Sequence, residues 1–223
     1  MPLLFHHLLQ PVGELGCWAI TESERELAHQ LPLHAEETAQ LLRILGEGRR
    51  REFLAARRLL HVMSGRAERG GLLKDKFGKP RLEDSLFHVS ISHTHGRSAA
   101  LAHPRPCGVD IQQIVPKISR LAHKFIRPDE ARPTLPDRES LLYTHLIWSA
   151  KEALYKAYGR RELAFQDNLI TEFTDPLRFD DRGGRGRGLL VKEELRLTYD
   201  IYYRMLEGGE FMLVWVVKNG GGV

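Results

Sequence analysis

Residues 148–156 read Trp148-Ser149-Ala150-Lys151-Glu152-Ala153-Leu154-Tyr155-Lys156 and continue a helical pattern that starts near Arg138. At about 100° per residue, one arc of this helix holds only apolar side chains, and these are Leu142, Tyr143, Leu146, Ile147, Ala150, Ala153, Leu154 and Ala157. The opposite arc holds Trp148, Lys151, Glu152, Tyr155 and Lys156. The pattern therefore predicts a helix with one face in a core and one face that carries a carboxylate between two lysines.

A second carboxylate lies upstream, in the segment Gly108-Val109-Asp110-Ile111 at the end of an apolar strand. Two carboxylates with lysines nearby are suited to a divalent cation and a phosphate. The simpler interpretation of the helix is a solvent-exposed face, on which Glu152 and Lys156 form an ordinary pair worth about 0.2–0.5 kcal/mol. The helix by itself leaves both interpretations open.

Hydrophobic periodicity predicts an α+β fold with helices and strands in both halves of the chain, which we place at 1–110 and 111–223. The first half is predicted to contain helical sequence over 35–69 and strands over 16–21, 87–91, 98–102 and 108–111. The second half is predicted to contain a short helix over 118–125, a long helix over 138–158, and paired strands over 195–205 and 211–217.

The glycine-rich segment Gly183-Gly184-Arg185-Gly186-Arg187-Gly188 interrupts the second half. We predict a flexible hairpin loop here, because this composition does not support a packed element. The segment lacks the spacing of a phosphate-binding loop. An RNA contact is the alternative, and it is less favoured because a strand pattern resumes directly at Leu189.

The composition indicates a soluble protein of the cytoplasm. A chain of 223 residues that is 42% hydrophobic can bury a core. Cys17 and Cys107 make no disulfide framework, which is typical of a reduced, intracellular protein. The apolar run over 1–9 is too short for a signal peptide and has no basic region before it. No segment approaches the roughly 20 apolar residues of a membrane span.

The positive charge of the chain is clustered, although the net charge is only +4. One helical region holds Arg43, Arg49, Arg50, Arg51, Arg57, Arg58, Arg66 and Arg69. Such a field attracts an anionic ligand or an acidic protein. A nucleic-acid partner is disfavoured, because Phe53 is the only aromatic residue between positions 19 and 76 and a stacking platform is therefore missing.

Three histidines, His88, His93 and His95, raise the possibility of a zinc site. Strand alternation places His88 and His93 on opposite faces, and no cysteine pair with zinc spacing accompanies them. Ser92 and His93 fit better as neutral donors to phosphate oxygens, and we expect no zinc.

Five motifs in this order resemble the Sfp-type 4'-phosphopantetheinyl transferase family. They are the basic helix 53–60, the turn Phe77-Gly78-Lys79-Pro80, the pair Ser92-His93, the strand 108–111 and the helix 148–156. The resemblance covers most of the chain, but the region after about residue 165 follows only by position. Each motif is short, and their common order carries the identification.

The resemblance implies an enzyme that transfers the 4'-phosphopantetheine arm of coenzyme A to a serine of an apo acyl or peptidyl carrier protein and releases adenosine 3',5'-bisphosphate. It implies Mg²⁺ as cofactor and a role in fatty-acid, polyketide or nonribosomal peptide synthesis. The fold it implies is a pseudo-duplicated pair of α/β halves with the active site between them. We expect a monomer with neither nucleic acid nor membrane as partner.

The same resemblance implies the roles of individual residues. The metal ligands are expected to be Asp110, Gln112 and Glu152. The catalytic residues are expected to be Glu152, as the base, and Lys156. Coenzyme A is expected to contact Arg57, Lys79, Ser92, His93, Lys151 and Lys156, with Arg57 and Lys79 at the 3'-phosphate.

Gln112 departs from the family pattern, because relatives commonly hold a second acid at this position. An amide oxygen can still bind Mg²⁺, but it brings no charge and cannot act as a base. We favour an active enzyme with weaker metal binding, and the alternative is a catalytically impaired homologue that binds coenzyme A and the carrier. Glu130 is a remote second candidate for the base.

Overall fold

The computed structural model describes residues 2–220 of the chain. They form two compact units, Met1–Pro104 and Arg105–Val223, and each unit contains one antiparallel sheet and one long helix packed on it. The predicted α+β class is confirmed. We predicted the boundary after residue 110, and the structure places it after Pro104.

The first unit has a six-stranded sheet in the order β1-β2-β6-β5-β4-β3. Its strands are β1 (Leu3–Leu8), β2 (Glu14–Ala19), β3 (Leu72–Lys74), β4 (Pro80–Leu82), β5 (His88–Thr94) and β6 (Arg97–His103). Its helices are α1 (Glu24–His29), α2 (Ala35–Leu42) and α3 (Glu47–Ser64). Helix α3 covers β2, β5 and β6, and the leucines on its inner face form the core of the unit with Val89 and Ala100.

The helical sequence over 35–69 is two helices rather than one. Gly46, at the start of α3, has φ 88°, which lies outside the helical region. Glycine reaches such angles without the steric penalty of a Cβ atom, so this position allows the chain to turn between α2 and α3.

The second unit has a five-stranded sheet in the order β7-β11-β10-β9-β8. Its strands are β7 (Cys107–Gln113), β8 (Leu169–Phe173), β9 (Gly184–Lys192), β10 (Leu195–Leu206) and β11 (Phe211–Lys218). Its helices are α4 (Asp137–Tyr158), α5 (Phe165–Asn168) and the 3-10 turns Pro116–Lys124, Pro128–Glu130 and Glu207–Gly209. Helix α4 packs on this sheet, and the predicted pairing of β10 with β11 is confirmed.

Strand β7 belongs to the second unit, whereas we had placed it at the end of the first. It pairs along its whole length with β11, from Cys107 opposite Val217 to Gln113 opposite Phe211. Hydrophobic periodicity detects a strand but not its partner, and here the partner lies far along the chain.

The glycine-rich segment is strand rather than loop, so that prediction was wrong. Gly184, Gly186 and Gly188 lie in β9, which pairs with both β8 and β10. A Cβ atom on Gly186 would overlap the carbonyl oxygen of Glu172, and one on Gly184 would overlap the ring of Tyr203. The glycines are therefore explained by close approach of neighbouring groups, and their composition misled the prediction.

No helix within residues 2–220 is both long enough and apolar enough to cross a membrane. Cys17 and Cys107 are both buried, and no disulfide joins them.

Candidate active site

Helix α4 has the buried arc that its sequence predicts. All eight apolar positions of that arc are buried, and Leu146, Ile147, Ala150, Ala153 and Leu154 are fully so. The helix ends at Gly159, whose φ of 68° makes a left-handed C-cap. This packing fixes the rotation of α4 about its axis, and with it the direction of the polar side chains.

Gly108 allows β7 to approach α4 more closely than any other residue would. A Cβ atom on Gly108 would overlap the carbonyl oxygen of Ala153 and lie 2.9 Å from the amide nitrogen of Ala157. Side chains alternate along a strand, so Asp110 and Gln112 leave β7 on the same face as Gly108, which is the face toward α4. The glycine of the motif thus positions the acid that follows it.

Asp110 meets the end of α4 through Lys156. Its side chain is buried, with the residue only 1% exposed, and its Oδ1 accepts a hydrogen bond of 2.7 Å from the Lys156 ammonium. The same ammonium donates to the carbonyl oxygen of Val109 at 3.1 Å. Lys156 is expected to contact phosphate, and the contact that the structure shows is an ion pair with Asp110. The Lys156 side chain remains partly exposed.

Glu152 lies one helical turn before Lys156 and close enough to Asp110 to respond to its charge. Burial raises the pKa of Glu152, the negative charge of Asp110 raises it further, and Lys156 opposes the shift. The charge of Asp110 thus disfavours ionisation of Glu152, and a divalent cation bound here would offset that repulsion.

The oxygen donors at this place fit Mg²⁺. Within residues 2–220 no group of three or more His, Cys, Asp or Glu side chains could hold a metal. A cation here would therefore rely on Asp110, Glu152 and the amide of Gln112, with its remaining positions left to water and substrate. Mg²⁺ is commonly held in this way, by one or two carboxylates together with substrate phosphates.

Lys151 does not belong to the polar face, so its assignment to coenzyme A is corrected. Its side chain is 0% exposed. The ammonium donates to Glu130 at 2.6 Å, to the carbonyl oxygen of Phe125 at 2.7 Å and to that of Phe165 at 3.1 Å. Its three donors are directed into the protein interior.

Glu130 is the buried partner of Lys151, which removes it as a candidate base. Its other oxygen accepts from the amide and the hydroxyl of Thr171, at 2.7 and 2.9 Å. Phe125 and Phe165, whose carbonyls bind the same lysine, both contact the ring of Trp148. The Lys151–Glu130 pair therefore ties three neighbouring segments to α4 beside Glu152.

The first unit contains a groove of about 910 Å³ with a basic lining. The charged side chains that line it are Arg43, Arg49, Glu52, Arg57 and Lys74. Phe53, Ile44 and Ile91 add apolar surface, and the turn residues Gly78 and Pro80 lie at its edge. The density of arginines is visible in the sequence, but Lys74 carries no signal that would have predicted it as a member of this site.

Arg57 lines this groove without offering it a free charge, so its assignment to the 3'-phosphate is corrected. The guanidinium is buried and donates to Glu37 at 3.0 Å and to the carbonyl oxygen of Phe53 at 3.0 Å. It lies 3.2 Å from the centroid of the Phe53 ring. Burial lowers the pKa of Arg57 to about 10, and Glu37 opposes this shift. Arg57 therefore stabilises the wall of the groove by joining Phe53 of α3 to Glu37 of α2.

The remaining predicted contacts divide between two places. His93 lines the groove, and its ring lies 3.4 Å from the carboxylate of Glu52. Ser92 leaves β5 on the opposite face and is buried, so the pair does not act from one surface of the sheet. Lys79 lies in the turn between β3 and β4, where its amide donates to the Asp75 side chain at 2.9 Å, and it is not among the residues that line the groove.

Comparison with known proteins identifies the region that carries Asp110, Gln112, Glu152 and Lys156. Residues 106–194 match the model of the 4'-phosphopantetheinyl transferase superfamily. The 4'-phosphopantetheinyl transferase psf-1 of Bacillus pumilus is 32% identical over 87 residues, 37% of this chain and 37% of that protein. The 4'-phosphopantetheinyl transferase of Bacillus subtilis is 31% identical over 91 residues, 38% of this chain and 39% of that protein.

The aligned part thus spans well under half of each relative. The region that matches the family model, residues 106–194, contains both carboxylates together with β7 and α4. Over residues 106–194 the chain is therefore similar to the 4'-phosphopantetheinyl transferase superfamily.

Proposed function

We propose that this protein transfers the 4'-phosphopantetheine arm of coenzyme A to the serine hydroxyl of an apo acyl or peptidyl carrier protein and releases adenosine 3',5'-bisphosphate. The observation that carries the proposal is the meeting of Asp110, Glu152 and Lys156 within the part of the chain that matches the family. The transfer breaks a pyrophosphate, so the protein must stabilise negative charge and position the incoming hydroxyl.

Mg²⁺, held by Asp110, Glu152 and Gln112, would neutralise charge on the pyrophosphate oxygens. Lys156 pairs with the buried side chain of Asp110, and its exposed side remains able to meet a phosphate oxygen. Glu152 has a raised pKa, which makes it a stronger base toward the serine hydroxyl than an ordinary carboxylate. We assign it the removal of the hydroxyl proton.

The groove of the first unit would bind the nucleotide end of coenzyme A. Arg43, Arg49 and Lys74 supply positive charge along it, and Phe53 supplies an aromatic face. A nucleotide with a 3'-phosphate presents an anion and a flat ring, which such a lining accommodates. Arg49 and Lys74 now replace Arg57 as the residues we assign to the 3'-phosphate.

An impaired homologue that binds both substrates without transfer is the second candidate, and Gln112 favours it. Relatives commonly hold a carboxylate here, and the amide removes one charge from the cation site. Asp110, Glu152 and Lys156 remain, and they outweigh this one departure. Internal duplication, the placement of the active site, a monomeric state and the pathway served stay predictions.

The test is incubation of the full chain with coenzyme A, Mg²⁺ and a panel of apo carrier proteins, followed by intact mass of each carrier. We expect a mass gain of one phosphopantetheine arm that requires the carrier serine and is abolished by a chelator. The Glu152→Gln variant should lose at least about 10²-fold in rate, the usual minimum contribution of a general base.

A matched variant is Glu162→Gln, because Glu162 is an exposed acid just beyond α4 and should tolerate the same change. Absence of transfer to every fatty-acid, polyketide and peptide carrier would overturn the proposed activity. Calorimetric binding of coenzyme A in that case would establish the impaired homologue instead.

A further inference from the structure

Glu37 is a buried acid of α2 in the first unit. Its side chain is 0% exposed, although a glutamate is rarely buried without partners. Its oxygens accept hydrogen bonds of 3.0 Å from four donors, which are Arg57, Arg69 and the backbone amides of Leu72 and His34. Burial alone would raise the pKa of Glu37, but the hydrogen bonds from Arg69, Leu72 and His34 leave that pKa below its ordinary value of 4.5. The carboxylate is therefore charged at neutral pH.

The partners of Glu37 lie in two walls of the basic groove. In α3, the guanidinium of Arg57 lies 3.2 Å from the centroid of the Phe53 ring, and both residues line the groove. In β3, Leu72 lines the groove, and Lys74 leaves the strand on the same side two residues later. One carboxylate therefore joins the wall that carries Phe53 to the wall that carries Lys74.

Arg69 completes this buried cluster from the segment just before β3. Its side chain is 3% exposed, and it donates to both oxygens of Glu37 and, at 3.1 Å, to the carbonyl oxygen of Gly70. Neither Glu37 nor Arg69 is among the residues that line the groove. A buried ionic cluster contributes little net stability, but hydrogen bonds that are all satisfied make the segments they join rigid. The main consequence of this cluster is therefore the geometry of the groove.

We propose that Glu37 is a positioning residue of the groove, which fixes the spacing between Phe53 on α3 and Lys74 on β3 and thereby sets the affinity for the nucleotide end of coenzyme A. This inference rests on the proposed function, which assigns that nucleotide to this groove. A nucleotide presents a flat ring and phosphates at a limited range of distances, so an aromatic face and a cation held at a matching distance lose less freedom on binding. Glu37 should therefore affect nucleotide binding rather than the chemical step.

Two variants change the cluster without changing its charge. Glu37→Asp shortens the side chain by one C–C bond of about 1.5 Å, so the carboxylate can no longer hold Arg57 and the Leu72 amide unless the two walls shift. Arg69→Lys removes the planar fork that Arg69 directs at Glu37 and Gly70. Since Arg69 lies outside the groove, any effect of this change on nucleotide binding must be transmitted through the cluster.

The matched control is Glu24→Asp, which shortens another acid that pairs with an arginine of α3. Glu24 accepts from Arg50 at 2.5 and 2.8 Å, and neither of these residues lines the groove. All proteins are full chains, studied below their thermal midpoints. Calorimetry gives the Kd for adenosine 3',5'-bisphosphate, which requires no transfer, and the transfer assay gives kcat and the KM for coenzyme A.

We expect Glu37→Asp to raise the Kd for the bisphosphate and the KM for coenzyme A by about 10-fold or more, which corresponds to the loss of one charge-assisted hydrogen bond. Arg69→Lys should raise both constants to a smaller extent. At saturating coenzyme A, kcat should stay within about two-fold in both variants, and Glu24→Asp should resemble the wild type. A purely structural role would lower the thermal midpoint but leave the Kd of the folded protein unchanged.

Wild-type values of Kd and KM in folded Glu37→Asp would overturn the positioning role, and Arg69→Lys decides it where the first variant does not fold. An equal rise of both constants in the Glu24→Asp control, or a fall in kcat alone, would overturn it as well. Absence of bisphosphate binding by the wild type would overturn the groove assignment and this role together. A wild type that binds the bisphosphate but modifies no carrier refutes the proposed activity alone, whereas transfer combined with normal nucleotide binding by both variants refutes the positioning role alone.

Discussion

Gly108→Ala is the change that most directly tests how the candidate site is built. The added methyl group would overlap the backbone of α4 at Ala153, and it would lie 2.9 Å from the amide nitrogen of Ala157. Neither group is a flexible side chain that could rotate away, so β7 and α4 must separate. Asp110 is two residues along the same face of β7, and it should therefore move away from Lys156.

Two magnitudes follow from this overlap. Overpacking of a well-packed core costs about 1–3 kcal/mol, and each kcal/mol lowers the thermal midpoint of a chain of this size by about 2–4 °C. Displacement of catalytic groups by about 1 Å can reduce a rate by about 10²-fold. We therefore expect a folded variant with a lower midpoint and a transfer rate reduced far more than its stability.

Two quantities are measured: the thermal midpoint of unfolding, by calorimetry, and the rate of transfer to an apo carrier protein. The matched control is Gly48→Ala in the first turn of α3, where an added Cβ atom has no neighbour within 4 Å. That change should leave activity intact and raise stability by up to about 1 kcal/mol, because alanine favours a helix over glycine. A Gly108→Ala protein as stable and active as the wild type would refute the close approach of β7 and α4.

Three further predictions concern other charges of the protein. Lys151→Met should destabilise the protein by about 3–5 kcal/mol in chemical unfolding, because it leaves Glu130 charged and buried, and adding Glu130→Gln should recover most of the loss. In the absence of metal, Glu152→Gln should gain stability relative to wild type as pH rises above about 4.5. The pKa of Glu152 is raised in the folded state, so its ionisation costs the wild type stability above the ordinary value of 4.5. A stability difference that does not change with pH would contradict the shift. Arg49→Ala should raise the KM for coenzyme A at least about 10-fold more than the KM for 3'-dephospho-coenzyme A, because one charge-assisted hydrogen bond is worth about 1.5–3 kcal/mol. The control Arg25→Ala lies outside the groove and should change neither KM.

Hydrophobic periodicity predicted the helix α4 and the strand pair β10–β11, because burial of one face imposes a regular spacing of apolar residues on each of these elements. It placed the buried arc of α4 correctly, and the turn between the two strands follows from their spacing. The same reasoning could not place β7, because its partner β11 lies about a hundred residues later and pairing leaves no local signal.

Glycine content misled the prediction for the segment over 183–188 for a different reason. Composition registers the conformational freedom that glycine brings to an isolated chain. It does not register that Glu172 and Tyr203 approach the backbone so closely that any side chain would collide. Glycines that appear to weaken a strand are here the residues that permit its pairing with two neighbours.

Lys151 and Glu152 are adjacent in sequence, but a helix rotates by about 100° per residue, so their charged groups lie in different environments. Burial raises the pKa of Glu152, and the nearby charge of Asp110 raises it further. Lys151 points into the core, where it meets Glu130 and the carbonyls on either side of Trp148. A buried ion pair of this kind contributes little net stability, but loss of either partner is costly, so the arrangement around α4 is held to one geometry.

Gly108 constrains the same helix from the strand side. The proposed catalytic groups are therefore positioned by residues that never need to touch the substrate, as a site that must place reacting atoms to within about 0.5 Å requires.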